Sequence, residues 1–377
     1  MKKFLALAMA GAMALSLVAC GGGASSAAAS TADAPAASTA DAPASSAKTD
    51  VAFVTDVGNI DDQSFNQYTW QGVQDFCSAN GLNANYYRPT EDSDAARLEQ
   101  MDNAVKDGAK AIVVAGYLFG SSVAEAQAKY PEVQFLALDV SAFDLGDAAP
   151  AANTALITYK EEQAGYLAGY AAVTDGYKEL GFLGGMAVPA VVRYGYGFVQ
   201  GADAAAKELG VTDVNIKYWY SGGFAATDEV KTKMDSWYAE GTEVVFACGG
   251  PVCQSCDAAA QVAGGKMIGV DVDQSGQFDT VITSAMKALA NSVNVALTDA
   301  KDNGWKFSEA YSAKETKLGA AEDCVGLPMA TSKFTTFTQE QYDTLMAAII
   351  DGSLAIDDSS ETETKPAVTT INVDYQD

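Results

Sequence analysis

Val54-Thr-Asp-Val-Gly-Asn-Ile-Asp-Asp-Gln-Ser-Phe-Asn66 is the stretch on which the fold turns. It closes an apolar run, Val51-Ala-Phe-Val-Thr55, that reads as a strand. It then turns at Gly58 and opens a helix expected to start near Asp61 or Asp62, because an aspartate there can accept from the free N–H groups of a first helical turn. A strand that turns and feeds a helix is one βα unit. In open α/β sheets ligands sit beyond the carboxyl ends of the strands, so the side chains of this turn are expected to face a cleft.

The same alternation continues outward. Strand-like runs recur at 111–115, 133–138, 180–183, 214–218, 244–247 and 266–270, separated by helical stretches such as 65–79, 94–107, 191–209 and 227–239. Short apolar runs of this kind suit strands covered on both faces, with helices as crossovers. The expected class is α/β, with two doubly wound parallel sheets. The first lobe is expected at 49–155 with about 272–325, and the second at 156–271. Within these bounds a helix starts at Tyr159, the run Thr280–Thr283 returns to the first sheet, and a helix follows over 285–299. Residues 326–377 are expected to pack across both lobes. Two lobes joined by a hinge would enclose a small molecule between them.

Composition narrows the chemistry. A formal charge of −26 repels a polyanion, so no nucleic-acid partner is expected. The chain has no histidine, which excludes serine–histidine and cysteine–histidine mechanisms and removes the commonest metal ligand. No cofactor or metal is expected, and binding is favoured over catalysis, with the protein a monomer. Six cysteines include the cluster Cys248-Gly-Gly-Pro-Val-Cys253-Gln-Ser-Cys256. Its Cys-x-x-Cys step admits a metal or redox reading, but no fourth thiolate or histidine stands nearby. A disulfide within the cluster, or plain buried thiols, fits better.

The amino-terminal end carries an address. Lys2-Lys3, an apolar stretch, and Leu17-Val-Ala-Cys20 form the n-region, h-region and cleavage site of a secretory signal. The apolar stretch is too short for a permanent spanning helix. A cysteine directly after Leu-Val-Ala is how lipoprotein signals end, so Cys20 is the expected site of lipidation; the alternative is an ordinary signal with an incidental cysteine. Residues 21–48 are nearly all Gly, Ala, Ser, Thr, Pro and Asp, with Thr-Ala-Asp-Ala-Pro-Ala repeated at 31 and 39. They have no large apolar side chain to bury and read as a tether. The expected location is the extracytoplasmic face of the cell membrane, held by lipid alone.

Several segments together resemble one family, the basic membrane protein lipoproteins of purine nucleoside receptor type. They are Val54 to Asn66, Glu161-Glu-Gln-Ala-Gly-Tyr-Leu-Ala-Gly169, Leu180-Gly-Phe-Leu-Gly-Gly-Met-Ala-Val-Pro189, Gly197-Phe-Val-Gln-Gly201 and Ile268-Gly-Val-Asp-Val-Asp-Gln274. The resemblance spans essentially the whole folded chain. It implies a type I periplasmic-binding fold, the substrate-binding component of an ABC importer with permease subunits as partners, and a purine nucleoside as ligand. An aromatic face suits a purine and a carboxylate suits paired hydroxyls. Carried over by residue, the resemblance makes Asp56, Asp139 and Asp271 ligand contacts, the last for ribose, with Asp273 as second choice. Phe65 becomes a stacking ring, unless it packs under the sheet as Val73 and Phe76 would. Asn66 could pair with a base edge, Gly250 offers backbone contacts, and Lys287 lies near the ribose unless it is a solvated helix residue. The second ring is expected at Phe246, or failing that at Phe224. Where the family has a small-residue and glycine loop after strand 244–247, this chain has its cysteine cluster, which puts Cys253 and Cys256 where the cleft wall should be. A receptor for another polar molecule such as a sugar, and a secreted nucleoside hydrolase, are the alternatives.

Overall fold

The computed structural model describes residues 48–56 and 58–376. The signal with Cys20, and the tether apart from Lys48, lie outside the described residues. In chain order, β1 (Val51–Val54), α1 (Phe65–Asn80), β2 (Ala84–Tyr87), α2 (Asp94–Lys106), β3 (Ala111–Ala115), α3 (Gly120–Lys129), β4 (Gln134–Leu138) and β5 (Thr154–Tyr159) make the first βα series. Next, α4 (Glu161–Thr174) leads into β6 (Glu179–Gly184), α5 (Pro189–Leu209), β7 (Asn215–Tyr220), α6 (Asp228–Ala239), β8 (Val244–Cys248), α7 (Val252–Ala263), β9 (Lys266–Asp271) and β10 (Val281–Lys287). The chain ends with α8 (Leu289–Asp302), β11 (Lys314–Leu318), β12 (Val325–Gly326), α9 (Gln339–Ile350) and β13 (Asn372–Tyr375).

Two sheets result. The first runs β2-β1-β3-β4-β5-β11 and is parallel throughout. The second runs β13-β7-β6-β8-β9-β10-β12 and is parallel except for β12, antiparallel to β10. Each contains the order 2-1-3-4, as β2-β1-β3-β4 and as β7-β6-β8-β9, so each lobe has a switch point, between β1 and β3 and between β6 and β8, where a crevice opens at the carboxyl ends. The central strands β1, β3, β4 and β8 are buried at every position, which is why they read as continuous apolar runs.

The strand after β9 departs from expectation. Val281–Lys287 does not return to the first sheet; it pairs with β9, Val281 opposite Met267 and Met286 opposite Asp271. The strand also runs through Ala285, where a helix was expected, and α8 begins only at Leu289. Burial along the strand and pairing with β9 through Met286, with one bulge between Val281 and Thr283, override the helical preference of Ala, Met and Lys. The return to the first sheet comes later, in β11, which pairs with β5. Likewise, residues 154–159 form a buried strand, and α4 starts at Glu161 rather than Tyr159.

The C-terminal segment adds β12 and β13 to the second sheet. It also touches the first, because Lys317 of β11 ion-pairs with Asp358 at 2.7 Å. Beside the second sheet, α4 and α5 meet through glycines. A Cβ on Gly165, Gly169, Gly197 or Gly201 would overlap a carbonyl oxygen of the facing helix. Among the described residues no helix is long and apolar enough to cross a membrane.

Candidate functional site

A cavity of about 1220 Å³ lies between the carboxyl ends of the two sheets. It is larger than the roughly 300–1,000 Å³ usual for small-molecule pockets, as a cleft open to solvent would be. Its first corner is built by the β1–α1 turn. Asp62 holds the start of α1: its carboxylate accepts from the backbone N–H groups of Ser64 (2.9 Å), Asn66 (2.9 Å) and Gln67 (3.0 Å). The capping carboxylate expected at Asp61 or Asp62 is thus supplied by Asp62. With the helix start fixed, Asp56 Oδ1 accepts from Gly58 N at 2.6 Å and from Asn66 Nδ2 at 3.1 Å. Burial pushes the Asp56 carboxyl up, against those two donors. Asn66 is 4% exposed, and its Oδ1 has no protein partner.

The second corner is a charged pole. Lys287, at the end of β10, has a 2% exposed side chain and lies 2.6 Å from Asp139 Oδ2, 3.2 Å from Glu161 Oε1 and 3.8 Å from Asp271 Oδ1. Burial would pull the ammonium down, but the three carboxylates outweigh it and Lys287 stays protonated, its pKa raised. The alternative of a solvated helix residue is therefore wrong for Lys287. Asp139 closes β4 and Asp271 ends β9, both with positive φ (52° and 65°). Burial pushes Asp139 up, Lys287 opposes, and the carboxyl titrates at about 6. Asp271 is pushed up by burial against Lys287 and Ser64, whose Oγ donates to it at 2.5 Å from the opposite lobe. Behind the pole, Glu161 is ion-paired with Arg193 Nε at 2.6 Å. Burial opposes its charge, but Lys287 and Arg193 more than offset this and lower its pKa. The neighbouring Glu162 is pushed up to about 7, first by burial.

Seven of the eight residues expected at the site, Asp56, Phe65, Asn66, Asp139, Gly250, Asp271 and Lys287, line this one cavity. Phe65 lies with its ring centroid 5.1 Å from Lys287 Nζ, so ring and charged pole share a wall. The exception is Phe246. It is 0% exposed, off the cavity, and packed among Phe182, Tyr194 and Phe198 at centroid distances of 5.4–5.8 Å. It sits two residues before the end of β8, one layer too deep, and Cys248 occupies the strand end instead. Phe224, the second choice, does line the cavity. Its ring lies against Gly185, where any Cβ would collide with it. Of the cysteine cluster, Cys248 lines the cavity, while Cys253 and Cys256 point from α7 into the second lobe's core. All three are free thiols, so no disulfide closes the cluster.

Sequence reasoning missed other lining residues. Arg193 and Tyr194 lie in the second turn of α5, where nothing in the sequence marks them as facing the cleft. Phe143, on the short helical turn 142–145, is 91% exposed at the cavity's edge. Cys248 was findable, since it ends a strand of the second sheet. Together the lining offers rings for a flat face, buried carboxylates for hydroxyls, and an amide for a polar edge.

Comparison with known proteins places this arrangement. Residues 49–359 match the model of a family described as ABC transporter substrate-binding protein, PnrA-like. The ABC transporter nucleoside-binding protein BmpA of Lactococcus lactis subsp. cremoris is 26% identical over 334 residues, covering 82% of this chain and 90% of that one. The CD4+ T-cell-stimulating antigen of Listeria monocytogenes is 26% identical over 329 residues, 81% and 87% of the two chains. Among solved structures, an ABC transporter solute-binding protein from Aeropyrum pernix K1 is similar with a TM-score of 0.71 at 20% identity, over 84% of this chain and 95% of that one. A second, from Conexibacter woesei, gives 0.66 at 19%. At these identities the solved structures show the fold, that of type I periplasmic solute-binding proteins.

Proposed function

This chain belongs to the PnrA-like family of ABC transporter substrate-binding proteins, and on that premise we propose that its cleft holds a purine nucleoside for delivery to a permease. The observation that carries the reading is that a ring and a Lys287-bridged pair of strand-end carboxylates share one cavity wall. Asp139 and Asp271 accept from ribose hydroxyls, with Lys287 holding both carboxylates in place. The base lies against Phe65, with Phe224 as the ring from the other lobe, and its polar edge meets Asn66 and Asp56. The unpartnered Asn66 Oδ1 supports this, because a buried amide oxygen without a partner costs about 1–3 kcal/mol that a donor on the base would recover. The cleft binds and does not hydrolyse.

Two features outside the cleft complete the reading. Cys20, at the end of the signal, carries the lipid anchor, and residues 21–48 tether the two lobes to the outer face of the membrane as a monomer. Labelled palmitate should enter the parent chain and not Cys20→Ser.

Mass spectrometry of small molecules released by denaturing the purified protein tests the ligand. Inosine, guanosine or adenosine is expected; a free sugar with no nucleoside would sink the reading. Incubation with inosine should release no hypoxanthine.

A further inference from the structure

Two lobe-2 side chains at the cleft floor are unused by the reading above. Tyr194, on α5, is 1% exposed and lines the cavity, yet its hydroxyl has no protein partner. A buried hydroxyl left unpaired costs about 1–3 kcal/mol, so a Tyr at this position, where a Phe would fill the same space, points to a partner that arrives from outside. Cys248 ends β8, at the carboxyl edge where ligands sit in such sheets, and it too is 1% exposed and lines the same cavity. Both lie beside the charged pole. The Tyr194 ring centroid is 5.4 Å from Lys287 Nζ, and Asp271, Glu161 and Asp139 act electrostatically on both groups.

We propose that Tyr194 and Cys248 are ligand-contacting residues that form a neutral donor pole in the cleft, beside Lys287 and its carboxylates. The inference rests on the nucleoside reading and deepens it: the pole meets the sugar end of the ligand, since Lys287 and its carboxylates are the neighbours. Burial, reinforced by those carboxylates, keeps both groups protonated. Tyr194 therefore donates O–H to a ligand hydroxyl oxygen, and Cys248 offers a weak S–H donor and a soft, polarisable surface to the sugar ring. An acceptor-rich sugar fits this pole, whereas a ligand presenting only an aliphatic surface would leave Tyr194 unpaired.

The test combines two substitutions, using inosine as the probe. Tyr194→Phe should raise the Kd for inosine about tenfold, the worth of one hydrogen bond in a dry site, while the Tm of the unliganded protein stays the same or rises, because an unpaired buried hydroxyl has been removed. A purely structural tyrosine would show the reverse: lower Tm and unchanged Kd. In parallel, Cys248→Ala should raise the Kd for inosine about threefold through loss of the sulfur contact, while Cys253→Ala, whose thiol lies off the cavity in the second lobe's core, should leave it unchanged. An unchanged Kd in Tyr194→Phe overturns the proposal. So does an unchanged Kd in Cys248→Ala. If inosine does not bind at all, the nucleoside reading fails instead, and both measurements are repeated with whatever ligand the purified protein releases.

Discussion

Asp139 and Asp271 show most directly how single residues have been shaped by the site. Both adopt left-handed backbone at strand ends, a conformation that costs a non-glycine residue roughly 1–2 kcal/mol. Aspartate tolerates it better than most, and here each gains an interaction with Lys287 in return. Because Asp139 titrates at about 6 and the proposed role needs its carboxylate, nucleoside affinity should be steady from pH 8 to 7 and fall as pH drops through 6, which calorimetric titration across that range will read. Glu162 gives a stability prediction of opposite sense. Its folded value of about 7 lies above the ordinary 4.5, so the folded chain holds that proton more tightly than the unfolded one. Its contribution is present at low pH and is lost as pH rises from 4.5 through 7. Glu162→Gln should therefore melt higher than the parent at pH 8 and together with it at pH 4 in scanning calorimetry. Neither behaviour could be read from the sequence, where Glu161-Glu162 stood only as part of a motif. What the motif hides is that both carboxylates are buried beside Arg193, which lies 2.6 Å from one and 4.0 Å from the other.

At the scale of elements, that burial depends on the glycine contact between α4 and α5, which brings Glu161 and Arg193 together. Gly201→Ala would place a methyl on the carbonyl oxygen of Tyr166, backbone against backbone, with no side chain to move aside. The expected cost is at least the ~1–3 kcal/mol of an overpacked core, seen as a lower urea midpoint; Ala204→Gly on the same helix, in comparison, should lose only the ~1 kcal/mol of helix propensity. The strands buried on both faces were legible because burial writes a continuous apolar run into them. The edge strands were not: β2 (Ala-Asn-Tyr-Tyr), β11 (Lys-Glu-Thr-Lys-Leu) and β13 (Asn-Val-Asp-Tyr) are half-buried or exposed and read as loop. The tail of β10, Ser-Ala-Met-Lys, was misread for a related reason. Its residues favour helix, and only the neighbouring β9, remote in local pattern, makes them a strand. That one misreading also moved Lys287 from a buried strand end to a helix, which is why its place at the centre of the charged pole was not visible.

Across the whole molecule, the two-sheet plan followed from the alternation of apolar runs with helical stretches, and the rule that strand carboxyl ends face the ligand placed the cleft. The resemblance implied Asp56, Asp139 and Asp271, which stand at strand ends as the rule asks; the rule gave no sign of Tyr194 and Arg193, which reach the cleft from a helix, and Phe246 was misplaced because its layer cannot be judged without knowing where the strand stops. Among the described residues the chain crosses between the sheets three times, from β5 to β6, from β10 to β11 and from β11 to β12, so a ligand touching both walls should draw them together. Small-angle scattering should show a smaller radius of gyration with inosine than without, and an unchanged radius would argue against closure. The central claim is that this cleft selects a base and a ribose together. Isothermal titration with inosine, guanosine, adenosine and ribose tests it most directly. The account predicts saturable 1:1 binding of at least one purine nucleoside, no comparable binding of ribose alone, and at least tenfold weaker nucleoside binding in Asp271→Asn and in Phe65→Ala. Ribose binding as tightly as the nucleosides, or nucleoside binding indifferent to both substitutions, would contradict it.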